Sequence, residues 1–118
     1  MALSVEIVAQ VWVGHSSGAV FTFAADGTFT ADGVPTAAFD TASPFAKDAP
    51  KGPYTCGGRW VIGPEPTELT VRFERIEDPQ GKRPHPGRHE LVYHGVYDGA
   101  YPQYPVLLHS GEDWLAPQ

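Results

Sequence analysis

Cysteine occurs once in this 118-residue chain, at Cys56. A lone thiol cannot close an intrachain disulfide, and such usage fits a reducing compartment. Cationic side chains are also scarce: 8 Lys and Arg stand against 14 Asp and Glu, for a net charge of −6 with histidine neutral. The cations form no cluster, which argues against a phosphate backbone and so against nucleic acid as a partner. The same acidity disfavours an anionic membrane surface. No apolar run approaches the ~18 residues a membrane span needs. Residues 1–10 show neither the basic n-region nor the apolar h-region of a signal peptide. The chain as written reads as cytoplasmic; one already trimmed of a leader would read the same. Long helices have nowhere to sit, because 13 Gly and 12 Pro punctuate the sequence.

What remains is a globular composition, with 42% hydrophobic and 12% aromatic residues. The length fits a single domain, 1–118, which at this size buries roughly two thirds of its unfolded surface. Ser4 to Gln10 reads as a short N-terminal helical turn capped by Ser4. The alternation Val5, Ile7, Ala9, Val11, Val13 also permits a first strand there, and a strand follows at Val11 to Gly14. From Ala19 the period is two: Ala19, Phe21 and Phe23 share one face. Asp26-Gly27 is a specific hairpin signal. Thr28 to Ala31 then returns antiparallel, and Asp32-Gly33 is expected to end it.

The segment 34–55 holds Pro35, Pro44, Pro50 and Pro53, and reads as a long loop. Its anchors Phe39 and Phe45 suit either a connector tucked onto the core or a lid over a pocket. Strands resume at Gly57 to Ile62, Glu68 to Ile76, Leu91 to Tyr97 and Tyr104 to His109, with a short one at Trp114-Leu115. Sequence-adjacent hairpins of seven or eight strands close into a small antiparallel up-and-down β-barrel, with a β-sandwich as the alternative.

Val11-Trp12-Val13-Gly14, Phe21 to Thr30 with its Asp-Gly-Thr-Phe hairpin, Gly57-Gly58-Arg59-Trp60 and Leu69 to Phe73 together resemble small bacterial lipocalin-like proteins of the calycin type, mostly uncharacterised. The resemblance spans Ser4 to Phe73. It implies a barrel and, from larger relatives, a small apolar ligand in the barrel mouth. The lipocalin Gly-x-Trp would place glycine at position 10, where this chain has Gln10.

Catalytic signatures are sparse. His85, His89 and His94 are the densest imidazole group, but His89 and His94 lie an odd number apart and point to opposite faces of a strand. No metal site and no cofactor is expected. His15-Ser16-Ser17-Gly18 reads as a turn rather than a nucleophile with its base. No Gly-x-Ser-x-Gly elbow is present. Cys56 reads as an inert thiol. Glu74, Glu77 and Asp78 beside Arg72 and Arg75 read as ion pairs rather than catalytic carboxylates.

Aromatic residues are the better lead. Trp12, Phe21, Trp60 and Phe73 are expected inside the barrel, and Tyr93, Tyr97, Tyr101 and Tyr104 crowd one short stretch. The favoured reading is a non-catalytic barrel binding a small apolar or aromatic molecule, lined by Trp12, Phe21, Phe39, Trp60, Phe73 and Tyr93, with His94 or Tyr97 orienting it. A second reading is a protein-interaction module of the inhibitor or immunity kind, using the acidic surface and the Tyr97–Tyr104 loop. A third is a barrel enzyme that templates a cyclisation or isomerisation.

Overall fold

A computed structural model of the protein describes residues 2–35, 38, 53–83, 89–110 and 113–118. One helical turn, α1 (Val5–Val8), precedes eight strands: β1 (Val11–Gly14), β2 (Val20–Phe23), β3 (Thr28–Val34), β4 (Tyr54–Ile62), β5 (Glu68–Glu77), β6 (Glu90–Val96), β7 (Leu107–Ser110) and β8 (Asp113–Pro117). Each strand pairs antiparallel with the next, and β8 closes on β1 through Trp12–Pro117, Val13–Ala116 and Gly14–Leu115. The fold is therefore the expected up-and-down barrel with its short N-terminal helical turn. The sandwich alternative falls, because a sandwich keeps open edges and the β1–β8 ladder leaves none.

A single turn is too short to hold itself, and α1 is held by what it touches. The Ser4 hydroxyl accepts from the Ile7 N–H at 3.3 Å. Val8 is fully buried, and its carbonyl accepts from Trp12 Nε1 at 3.0 Å. The Leu3 N–H donates to the Pro66 carbonyl, in the β4–β5 connection, at 2.8 Å. With Ile7 packed on the core as well, α1 lies across the barrel end at which β1 begins.

Asp26-Gly27 makes the β2–β3 turn. Gly27 has φ +91°, a conformation that favours glycine. The Asp26 carboxylate accepts the Thr28 hydroxyl at 2.6 Å and its N–H at 3.0 Å, bonds that hold the Asp26 carboxyl below its usual value. Trp60 of β4 clasps this hairpin, its Nε1 donating to the Ala24 carbonyl at 3.0 Å and the Thr28 carbonyl at 3.1 Å.

Three boundaries differ most from the sequence reading. β4 begins at Tyr54, inside the segment read as a loop, rather than at Gly57. Asp32-Gly33 does not end β3. Gly33 takes φ +74° and the register slips between Ala31 and Val34, so a bulge absorbs the turn signal and the strand runs on. β7 begins at Leu107 rather than Tyr104. Pro105 has no N–H to give a ladder, and the Tyr104 N–H is already used on the Tyr101 carbonyl at 3.1 Å.

A second bulge lies between β4 and β5. Gly57 pairs with Arg75 and Gly58 with Phe73, so Glu74 is the extra residue. The β5 backbone there presses onto Gly58: a Cβ at that position would collide with the Arg72 carbonyl. The bulge turns both Glu74 and Arg75 to the outside, where both are exposed.

The core is built largely of rings. Phe21 lies 5.8 Å from Phe23, 6.2 Å from Phe29, 6.5 Å from Phe73 and 6.1 Å from Tyr93, centroid to centroid. Phe29 and Phe73 meet edge to face at 5.3 Å. Such separations are direct ring contacts. Eight strands give a barrel just wide enough for side chains to fill or for one small ligand, and these rings meet in its interior.

Cys56 belongs to this core and is fully buried, with its thiol pushed up to about 12 by loss of solvent. The thiol is therefore expected to stay inert to a disulfide exchange reagent at neutral pH and to react once urea unfolds the barrel. Rapid labelling of the native protein would contradict this burial. The sign of the linkage follows. A raised native value means that Cys56 supports folding below its ordinary value of 9.0 and loses that support as pH climbs toward about 12. Buried Tyr93 is shifted upward by the same cause, so stability is expected to fall in alkali.

Candidate functional site

Of the residues expected to line a ligand cavity, Trp12, Phe21, Trp60, Phe73 and Tyr93 do face the interior, each at most 8% exposed. Phe21 contacts Phe73 and Tyr93, and Trp60 contacts Phe23. Trp12 and Trp60 give their indole N–H groups to main-chain carbonyls, which leaves those donors nothing to offer a guest. His94 and Tyr97 lie elsewhere. On β6 the buried set is Leu91, Tyr93 and Gly95, so His94 points outward, and Tyr97, just past the strand, is 58% exposed. Phe39 and nearly all of the segment proposed as a lid lie outside the described residues.

The outer wall carries the more distinctive arrangement. Trp114 of β8 stacks on His15 with centroids 4.2 Å apart and planes 13° apart. Its cross-strand neighbour is His109 of β7, nearly parallel at 6.3 Å. Three rings thus stand side by side across β1, β8 and β7. Tyr101 leans on this row, 4.9 Å from Trp114 and 6.2 Å from His15. It is carried there by the β6–β7 connection, which folds back through two tight turns: the Tyr101 N–H donates to Asp98 O, and the Tyr104 N–H to Tyr101 O. Leu107 and Ala116 are 0% and 7% exposed although neither belongs to the interior cluster; this strap covers them from outside.

Between the strap and the wall runs an open concavity of about 350 Å³, lined by Val13, Gly14, His15, Tyr104, Trp114, Ala116, Pro117 and Gln118. Its lining joins apolar Val13, Ala116 and Pro117 to the rings of His15, Tyr104 and Trp114, and includes neither Lys nor Arg. Among the described residues, Lys and Arg occur only at Arg59, Arg72, Arg75, Lys82 and Arg83. All lie on or just beyond β4 and β5. Strands β6, β7, β8, β1, β2 and β3 carry none, while Glu90, Asp98, Asp113 and Asp32 lie on or beside them.

The residues weighed for catalysis serve the fold. The Ser17 hydroxyl donates to Asp113 Oδ2 at 2.7 Å, and the Ser16 N–H to Asp113 Oδ1 at 2.8 Å. Asp113 thus ties the β1–β2 turn to β8, while the His15 ring goes to Trp114 instead of to a serine. Nucleophile, base and orienting carboxylate are not in line. Glu74 meets Arg59 at 3.5 Å, not Arg72, and both partners are exposed, so the pair adds little. Asp78 Oδ1 accepts the Gln80 and Lys82 N–H groups at 3.0 and 2.7 Å, closing a turn. No group of three or more His, Cys, Asp or Glu side chains is placed to hold a metal among the described residues, and His85 lies outside them.

Sequence reasoning singled out the tyrosines of the strap but missed Trp114 and His15. They are 99 positions apart, and only β1–β8 closure makes them neighbours. The alternation Trp114 out, Leu115 in was the available signal. No helix among the described residues is long and apolar enough to cross a membrane. Comparison with family models, with curated proteins and with solved structures gives no match.

Proposed function

We propose that the chain is a non-catalytic binding module whose partner docks on the outer wall at Trp114, not inside the barrel. The observation that carries this is the pairing of interior rings that contact one another and indole donors already bonded to the main chain with an open concavity outside that Trp114, Tyr104 and His15 help to line. A partner protein is the occupant the geometry favours. The concavity is a trough rather than an enclosed chamber, and small-molecule sites bury most of their ligand. Trp and Tyr on a half-exposed surface are the side chains that dominate binding energy at protein interfaces. The absence of Lys and Arg from this wall among the described residues, on a chain of net charge −6, suits a basic partner drawn in by charge. The same feature supports the absence of nucleic acid among its partners. A cytoplasmic setting belongs to this proposal and is supported by the single unpaired thiol. Kinship with lipocalin-like proteins belongs to it too, supported by the closed eight-strand meander.

Affinity capture from extract of the source cells, run at low and high salt with wild type and Trp114→Ala side by side, tests the reading. One partner is expected with wild type, held more weakly at high salt. Loss of a central tryptophan at a hot spot costs at least ~2 kcal/mol, roughly 30-fold in affinity. Recovery of the same partner by both proteins, or of none by wild type at either salt, overturns the proposal.

A small planar apolar ligand is the second reading, favoured by the volume alone, since about 350 Å³ falls at the lower end of ligand pockets, roughly 300–1,000 Å³. Titration with aromatic probes, followed by tryptophan fluorescence and repeated in Trp114→Phe, separates the two. The barrel-enzyme reading needs interior space beside the rings, and no observation here favours it over the other two.

A further inference from the structure

One rung of the outer ladder holds more chemistry than the proposed docking site uses. His94 of β6 stands directly opposite His109 of β7. On its other side His94 is paired with Glu68 of β5, and on its other side His109 is paired with Trp114 of β8. Both histidines lie on the outer face. The buried set of β6 is Leu91, Tyr93 and Gly95, and Leu108, the inward neighbour of His109, pairs with Gly95. Directly opposed residues of an antiparallel pair have Cβ atoms about 4.5–5.5 Å apart. From that spacing two imidazoles can turn one ring nitrogen each onto a single ion at the ~2.0–2.1 Å of a metal–imidazole bond.

A second observation points the same way. Nε2 of His109 is withdrawn from solvent and has no hydrogen-bond partner. A buried imidazole nitrogen normally finds a donor or acceptor, and imidazole is the side chain that most often ligates a metal ion.

We propose that His94 and His109 form a two-imidazole site for a borderline transition-metal ion, with Cu²⁺ preferred over Ni²⁺ and Zn²⁺ in the order that divalent ions follow at nitrogen ligands. No third ligand-type side chain converges there among the described residues, so the His109 ring turns its nitrogen toward exposed His94 to bind, and water completes the coordination on that open side. The carboxylate of Glu68 borders the site as a neighbouring negative charge. His15 is outside it, because the Trp114 ring stands between His15 and His109. The reading is independent of the docking site and stands or falls separately.

The test is a titration of the metal-free full-length protein with CuCl₂ at neutral pH, read by tryptophan fluorescence and by the electron paramagnetic resonance of bound Cu²⁺. Trp114 lies 6.3 Å from His109, so bound copper is expected to quench it at one equivalent. The resonance spectrum should show nitrogen coupling from two imidazoles. His94→Ala and His109→Gln are each expected to weaken binding about tenfold or more. His89→Ala and His15→Ala should bind as wild type. Trp114→Phe should lose the quenching and keep the resonance signal. Exposed His94 can be replaced without disturbing the core, and circular dichroism of every variant separates loss of a ligand from loss of fold. Copper binding that survives His94→Ala unchanged overturns the proposal. So does a wild-type spectrum no different from that of the double variant His94→Ala, His109→Gln.

Discussion

A chain carrying Gly58→Val is expected not to reach the folded barrel. The Arg72 carbonyl occupies the space that a side chain at position 58 would need, and the Glu74 N–H borders the same space. Both are main-chain atoms, so no rotamer change relieves the clash. The strands would have to part over the stretch where Gly57 pairs with Arg75 and Gly58 with Phe73. That ladder is the longest in the barrel, running from Thr55–Glu77 to Ile62–Leu69, and Phe73 beside it is one of the central rings. The loss falls in the exceptional class of more than about 4 kcal/mol. Near-ultraviolet circular dichroism and gel filtration would show an aggregated or expanded chain with no fixed aromatic environment. Gly27→Ala serves as the comparison. It strains a left-handed turn but meets only the Trp60 carbonyl at 3.7 Å, so it should fold with a modest loss. A Gly58→Val protein with wild-type spectra and melting would mean that the bulge is not fixed where described.

Phe21→Ala is expected to have the second largest effect. Phe21 is 2% exposed and touches four other rings, which come from β2, β3, β5 and β6. Truncating a buried phenylalanine costs about 3–5 kcal/mol through lost transfer energy and the cavity left behind. Here the upper part of that range is expected, because the surrounding rings are tied to four separate strands and cannot collapse together. Urea unfolding followed by tryptophan fluorescence measures it. Phe21→Leu, which keeps most of the volume, should cost much less, since shape changes near constant volume are tolerated best. Equal losses for Ala and Leu would indicate that ring geometry outweighs the cavity.

The strand pattern was legible because a half-buried strand must alternate. Phe21 and Phe23, Leu69, Val71 and Phe73, and the Asp26-Gly27 turn between β2 and β3 all announce themselves locally. Closure was inferred from strand count, and the β1–β8 ladder supplies it. Bulges were less legible. Gly33 reads equally as a stop or as an extra residue, and only the partner strand decides. Gly57-Gly58 gave no hint that Arg72 approaches from the next strand.

The site was less legible still. Hydrophobic alternation states which way a side chain faces and not whether the faces meet or leave a space between them. Trp12, Phe21 and Phe73 do face inward. His94 was weighed against His89, its neighbour along the chain, whereas its partner in space is His109, supplied by antiparallel register. Trp114 acquires its stacking with His15 only when the last strand meets the first. Contacts of that kind depend on pairing across the whole chain, which local periodicity does not encode.

The uneven placement of arginine has a consequence beyond any single contact. With Arg59, Arg72 and Arg75 gathered on β4 and β5 among the glutamates of β5, and the wall from β6 round to β3 carrying carboxylates without Lys or Arg, the described residues divide into a side of mixed charge and a side of one sign. An approaching body of opposite sign feels a torque as well as an attraction, and is turned before it touches. That rotation acts over about one screening length, roughly 8–10 Å at physiological salt, and shrinks as salt is added. The molecule therefore chooses which of its sides is met first by the sequence of two adjacent strands, far from the aromatic rings that would finish the encounter.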